Sequence, residues 1–140
     1  MSTPVEETLI LVKPDGVARN LTGEILRRIE AKGYQLVDIK LVEPDLDLLA
    51  QHYAEHQGKP FYEPLLEFMQ SGPIVAIRAA GERVIEGFRS LAGTTDPTTA
   101  APGTIRGDLG RDWGVKVQQN LVHGSDSPES AARELSLWFA

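Results

Sequence analysis

Residues 8–13 read TLILVK, a short apolar run halted by Pro14. Proline offers no amide proton to a sheet ladder, so the run is predicted to be a buried strand that ends there. Outward from it the spacing changes period several times. Residues 22–32 turn helical, with Leu21, Ile25 and Ile29 on one stripe and Gly33 as the stop. Residues 34–42, YQLVDIKLV, form a second predicted strand that closes at Glu43-Pro44. Helical spacing returns over 45–57 and 60–70, broken by Gly58 and then by Ser71-Gly72-Pro73. Residues 74–79 read as a third strand and 82–92 as a further helix. Residues 93–114, full of Thr, Pro, Gly and Asp, are expected to form a long loop, and a loop of that length is usually functional or mobile. A last strand reaches His123. The closing helix has Ser127 as N-cap, Pro128 at its first position and Glu129 at its positive end.

With the middle helices set aside, this order is the split βαβ pattern. The expectation is an α+β, ferredoxin-like fold: a four-stranded antiparallel sheet with helices on one face. At 140 residues the chain is long enough for one real core, and residues 1–140 are expected to form a single domain. It shows no repeat, low-complexity tract or linker. The fold class serves enzymes, sensors and RNA binders alike, so function has to come from particular residues.

Composition narrows the field. A net charge of −6 argues against nonspecific nucleic-acid binding, which needs a basic surface. A small polyanion requires only a few focused cations and is not excluded. No apolar run approaches membrane-spanning length, and MSTPVEET at the start lacks the regions of a signal peptide. There are no cysteines, which removes disulfides and thiolate metal sites and fits a cytoplasmic setting.

The most informative polar segment is NLVHGSDS, residues 120–127. It delivers His123 to the end of a strand, with a glycine immediately after it and a hydroxyl at Ser125. Glycine there permits backbone geometry other residues resist and leaves the imidazole open to a bulky partner. With no cysteine to compete, His123 suits nucleophilic or proton-transfer chemistry. Lys13 ends the first strand, Arg89 lies near the end of a helix, Thr95 opens the long loop, and Arg106 sits within it. Lysine as a point charge and arginine as a rigid fork are the residues that hold phosphates. Each alone also fits a solvated surface charge. Together with a histidine nucleophile they suggest phosphoryl transfer.

The segments LVKPDGV (11–17), GEI (23–25), QHY (51–53), PFY (60–62), SGPIVA (71–76), GTTDP (93–97), PGTIRGD (102–108), NLVHGSDS (120–127) and SLWF (136–139) follow one another in the order of a known family. Over nearly its whole length the chain resembles nucleoside diphosphate kinase. The resemblance implies that His123 takes the terminal phosphate of a nucleoside triphosphate such as ATP and hands it to a diphosphate, in ping-pong fashion. It implies that Lys13, Arg89, Thr95 and Arg106 hold the phosphates, and that Lys13 and Asn120 contact the sugar. Phe61 would stack on the base, with Val117 as the opposite wall. Tyr53, Ser125 and Glu134 would support the histidine and the incoming phosphate. Mg²⁺ would ride on the nucleotide phosphates without a protein cage, and the chain would assemble as a homotetramer or homohexamer.

Spacing supplies two checks. Ala131, Leu135 and Trp138 make an apolar stripe on the last helix with Glu134 on its flank, where a carboxylate is placed to orient an imidazole. Strict alternation would put Asn120 and His123 on opposite faces of a strand, so for both to serve one site the strand must begin after Asn120.

Two rival readings have their own signals. His52 to His56, HYAEH, spells a zinc-hydrolase pattern, although a surface helix bearing two histidines explains it better. A nucleotide-binding module without turnover would be expected to lack His123, which is present. One departure from the family stands out. Residues 109–119, eleven in all, occupy a place where the family usually has about seven. The extra residues are expected within 109–114, LGRDWG, as a bulge outside the site, unless Trp113 reaches over the base or onto a neighbouring subunit.

Overall fold

The computed structural model describes residues 5–115, 117 and 119–140. Strand β1 spans Glu6–Val12 and is followed at once by a short helix α1, Pro14–Ala18. Then come α2 (Thr22–Ala31), β2 (Gln35–Val42), α3 (Leu46–His52), a 3₁₀ turn (Ala54–His56), α4 (Tyr62–Met69), β3 (Ile74–Gly81), α5 (Val84–Ala92), α6 (Ile105–Leu109), β4 (Val122–Gly124) and α7 (Pro128–Trp138). The strands form one sheet in the order β2-β3-β1-β4, and every pairing is antiparallel. This is the split βαβ arrangement.

Pro14 both ends a strand and begins a helix. Its fixed φ and missing amide suit the first helical position, so KPDG turns directly into α1. The stretch expected to be an unbroken loop likewise contains α6, capped by the Thr104 hydroxyl, which accepts from the Gly107 amide.

Helices surround the sheet, with α2 and α5 of the split βαβ unit on one face and α3, α4 and α7 on the other. Ile10 and Val12 of β1 enter a core with Ile25 and Ile29 of α2, Val84 and Phe88 of α5 and Ile105 of α6. Leu9 and Leu11 point the other way, into a core with Leu49 of α3, Leu66 and Met69 of α4, and Leu135 and Trp138 of α7. Successive residues of a strand face opposite sides, so the unbroken apolar run Leu9–Val12 needs both sides covered. Each such side chain, fully buried, contributes about 1.5–3 kcal/mol. No helix among the described residues is long and apolar enough to cross a membrane.

Candidate active site

The site forms where β1, β4 and the start of α1 meet. Leu121 adopts φ 72°, and the Val122 amide donates to the Asn120 carbonyl at 2.8 Å, which makes a three-residue γ-turn. A non-glycine residue in this region is strained and must be held. The Leu121 amide donates to Oδ2 of Asp15 at 3.1 Å, and its carbonyl accepts from the Lys13 amide at 2.8 Å. The turn interrupts strand alternation between Asn120 and His123. Strand β4 begins at Val122, after Asn120, as a shared site requires.

His123 lies half-buried on β4, and its Nε2 donates to Oε1 of Glu134 on α7 at 2.8 Å. The same oxygen accepts from the hydroxyl of Ser125 at 2.8 Å, and that hydroxyl accepts from the Leu9 amide. Glu134 is buried, which on its own raises its pKa. The hydrogen bond and charge of His123, with His52 and Ser125, more than offset this and hold it below the usual carboxylate range. An ionised carboxylate only accepts, so Glu134 fixes the His123 proton on Nε2 and leaves Nδ1 with its lone pair.

Gly124 follows for a packing reason. It does not occupy a positive-φ conformation, but a Cβ there would lie 2.6 Å from the Phe88 ring.

His123 borders a cavity of about 500 Å³ whose lining also includes Lys13, Tyr53, Arg89, Thr95, Arg106 and Asn120. Lys13 Nζ donates to Oδ1 of Asn120 at 2.9 Å, and Asn120 Nδ2 donates to the Thr95 carbonyl. Arg106 lies on α6 and donates to the carbonyls of Asn120, Gly93 and Val122 at 3.0, 2.9 and 2.6 Å. Burial pushes the Lys13 ammonium down to about 8, and the charge of Arg106 adds to this. Burial and Arg89 bring Arg106 to about 10. Burial, with the charge of Glu134, raises the Tyr53 phenol far above its usual value, so it stays a neutral donor. Phe61 stands exposed just before α4, its ring centroid 5.3 Å from that of His56, a cavity-lining residue. It is not the core aromatic that its place before a helix would allow.

The two histidines of HYAEH do not share a helix. Helix α3 stops at His52, and His56 belongs to the separate 3₁₀ turn. His52 is not on the surface either: it is 3 % exposed and lines the cavity. Sequence reading missed it, although His52 follows the buried Leu49 by three residues and so shares its face.

Residues 109–115 of the longer segment lie off the cavity lining. Trp113 is 46 % exposed, with the Arg111 and Arg19 guanidinium groups 4.2 and 5.8 Å from its ring centroid. Arg19 also donates to the Leu109 carbonyl at 2.7 Å. Lengthening a surface loop costs only about 0.6 kcal/mol per doubling. Deleting about four residues within 110–114 is expected to leave turnover within a few-fold of the parent. Collapse of activity in a folded variant would instead place the segment in the site or the assembly.

A histidine nitrogen freed by a buried carboxylate, beside cations on a ferredoxin-like sheet, is suited to phosphoryl transfer. Comparison with known proteins gives the family. A nucleoside diphosphate kinase profile matches residues 6–140. The nucleoside diphosphate kinases of Streptomyces avermitilis and Mycobacterium avium are each 60 % identical over 135 residues, covering 96 % of both chains. The crystal structure of a nucleoside diphosphate kinase family protein from Babesia bovis superposes with a TM-score of 0.90 at 47 % identity, covering 96 % of this chain and 88 % of that one. The halophilic nucleoside diphosphate kinase from Halobacterium salinarum, solved with CDP, gives 0.90 at 45 %, covering 97 % and 88 %. The chain belongs to the nucleoside diphosphate kinase family. It is a kinase that transfers the terminal phosphate of a nucleoside triphosphate to a nucleoside diphosphate.

Proposed function

We propose that His123 carries the phosphate between the two half-reactions. The observation that supports this most strongly is the Glu134–His123 hydrogen bond, which leaves Nδ1 as the free nucleophile. Nδ1 attacks the terminal phosphorus, the bond to the bridging oxygen breaks, and a nucleoside diphosphate leaves with that electron pair. A terminal oxygen of a second diphosphate then attacks the phosphorus and restores His123. Lys13, Arg89, Thr95 and Arg106 hold the phosphates, and Lys13 with Asn120 meets the sugar hydroxyls. Phe61 stacks on the base, a contact that any base can make, since each has a π-face. Val117, half-buried, is the opposite wall. Tyr53 offers its hydroxyl to the phosphate, while Ser125 and Glu134 orient the imidazole. The CDP bound to the Halobacterium protein supports a nucleoside diphosphate as occupant.

Mg²⁺ prefers about six oxygen ligands. Among the described residues, the one grouping of possible ligands is His52, His123 and Glu134, two-thirds imidazole and already engaged. That donor set fits an ion carried by the nucleotide, with Glu55 and Asp126 the other carboxylates lining the cavity. When bound, Mg²⁺ neutralises charge on the transferring phosphates.

The chain acts as one domain over 1–140 in the cytoplasm and assembles as a homotetramer or homohexamer. Edge strand β2 leaves Val37, Ile39 and Leu41 exposed, an apolar edge of the kind proteins usually cover. Sedimentation of the purified protein tests the assembly.

Brief incubation with γ-labelled ATP is expected to give acid-labile, alkali-stable label on the protein. Double-reciprocal plots with ATP and a diphosphate varied are expected to be parallel. Intersecting lines would mean direct transfer in a ternary complex and overturn the reading.

The Lys13 shift sets a pH dependence. Bound phosphates favour the charged ammonium, so affinity is full below about pH 8 and falls as Lys13 deprotonates above it. Apparent kcat/KM is expected to decline through an apparent pKa near 8, and Lys13→Met is expected to lose this limb. The free protein shows the opposite sign. Between about 8 and 10.5 the unfolded chain holds the proton more tightly, so stability contributed by this group rises with pH.

A further inference from the structure

His52, the last residue of α3, is buried between α7 and the cavity. The indole Nε1–H of Trp138 donates to its Nδ1 at 3.0 Å. Indole nitrogen can only donate, so Nδ1 must be unprotonated and the ring proton sits on Nε2. Burial pushes His52 down to about 3, and the charges of His123, Arg133 and Lys13 push the same way against the opposing pull of Glu134. The ring therefore stays neutral and keeps one tautomer. It meets the His123 ring edge-on, with centroids 4.8 Å apart and planes at 71°. A ligand atom from each of His52, His123 and Glu134 lies within 4.8 Å of the others. Among the described residues, no hydrogen bond takes up His52 Nε2.

We propose that His52 is a catalytic hydrogen-bond donor whose Nε2–H binds an oxygen of the phosphoryl group carried on His123 Nδ1. This rests on the phosphohistidine reading above. The cations of the cavity supply charge, whereas His52 supplies a fixed direction beside the nitrogen that reacts. No proton changes hands in its contribution. The Nδ1–P bond forms as the P–O bond to the departing diphosphate breaks, His123 keeps its proton toward Glu134, and His52 keeps its own. Trp138 touches no substrate. It is a positioning residue that holds the tautomer.

The test equilibrates the full chain with Mg²⁺ and a fixed ATP to ADP ratio, then measures acid-labile label on wild type, His52→Leu and His52→Gln. Loss of a donor to a charged acceptor is expected to lower the ratio of phosphorylated to free enzyme about tenfold or more in His52→Leu. kcat should fall by a similar factor while KM for each nucleotide stays within a few-fold. Gln, whose amide nitrogen reaches the position of Nε2, is expected to restore most of the ratio. Should His52→Leu fail to fold, two other measurements decide. ¹⁵N NMR of the wild type is expected to show His52 protonated on Nε2 alone from about pH 5 to about pH 9. Trp138→Phe, which frees the tautomer, is expected to lower the ratio about threefold. A proton on Nδ1, or a wild-type ratio in His52→Leu, would overturn the proposal while leaving the labelled His123 reading intact. A wild type that takes no label would overturn both.

Discussion

His123→Ala is expected to lower turnover by about 10⁴-fold or more and to abolish acid-labile labelling by γ-labelled ATP. The size follows from the role. In the proposed mechanism the other residues of the cavity bind or orient, whereas His123 Nδ1 is the atom that accepts the phosphorus. The chain offers no thiol as a substitute. The fold should survive, because His123 is only half-buried and Glu134 keeps the Ser125 hydroxyl as a partner. Circular dichroism and thermal melting check that the variant is folded. Wild-type-like labelling of a folded His123→Ala would sink the assignment.

The second large effect is expected at Arg106, where architecture and charge coincide. Its guanidinium donates to the carbonyls of Asn120 and Val122, on either side of the strained Leu121 turn, and to that of Gly93. Arg106→Ala removes three charge-assisted hydrogen bonds, each worth about 1.5–3 kcal/mol before relaxation. A net destabilisation of about 3 kcal/mol is expected, or roughly 10 °C in Tm for a chain of this size. If Arg106 also holds the phosphates as proposed, loss of that cation is expected to cost about 10²–10³-fold in kcat as well. Arg106→Lys should recover little, since an ammonium cannot direct three donors along the fork's directions. Melting curves and turnover of the two variants decide. A lysine variant with normal Tm and kcat would show that charge alone matters there.

How far the fold could be read from sequence depended on how local its cause was. The strand at TLILVK and the Ser127-Pro128 start of α7 are set by neighbouring residues, and both form where spacing places them, β1 beginning a little earlier at Glu6. The two helices of the split βαβ unit, α2 and α5, share one face as that order implies, while α3, α4 and α7 cover the other, as the unbroken apolar run requires. The apolar run marks Pro14 as a stop, whereas α1 also uses it as a start. Within the site, the NLVHGSDS frame marks His123 because the residues that shape its turn are close in sequence. The groups that complete it are distant. The Asp15 contact to Leu121 and the Trp138 contact to His52 join positions that no periodicity relates. Sequence alone therefore puts His52 on a surface helix, and only its spacing from Leu49 points inward.

The link from Leu9 to Ser125 across the sheet, with Glu134 and Trp138 arriving from α7, has a consequence for biosynthesis. A nascent chain emerging from the ribosome can present β1, and even pair it with β3, long before it can present His123. During synthesis the pocket cannot be completed before α7 emerges and brings Glu134 and Trp138 to it. A chain stalled short of α7 should therefore be inert, however much of the sheet has already paired.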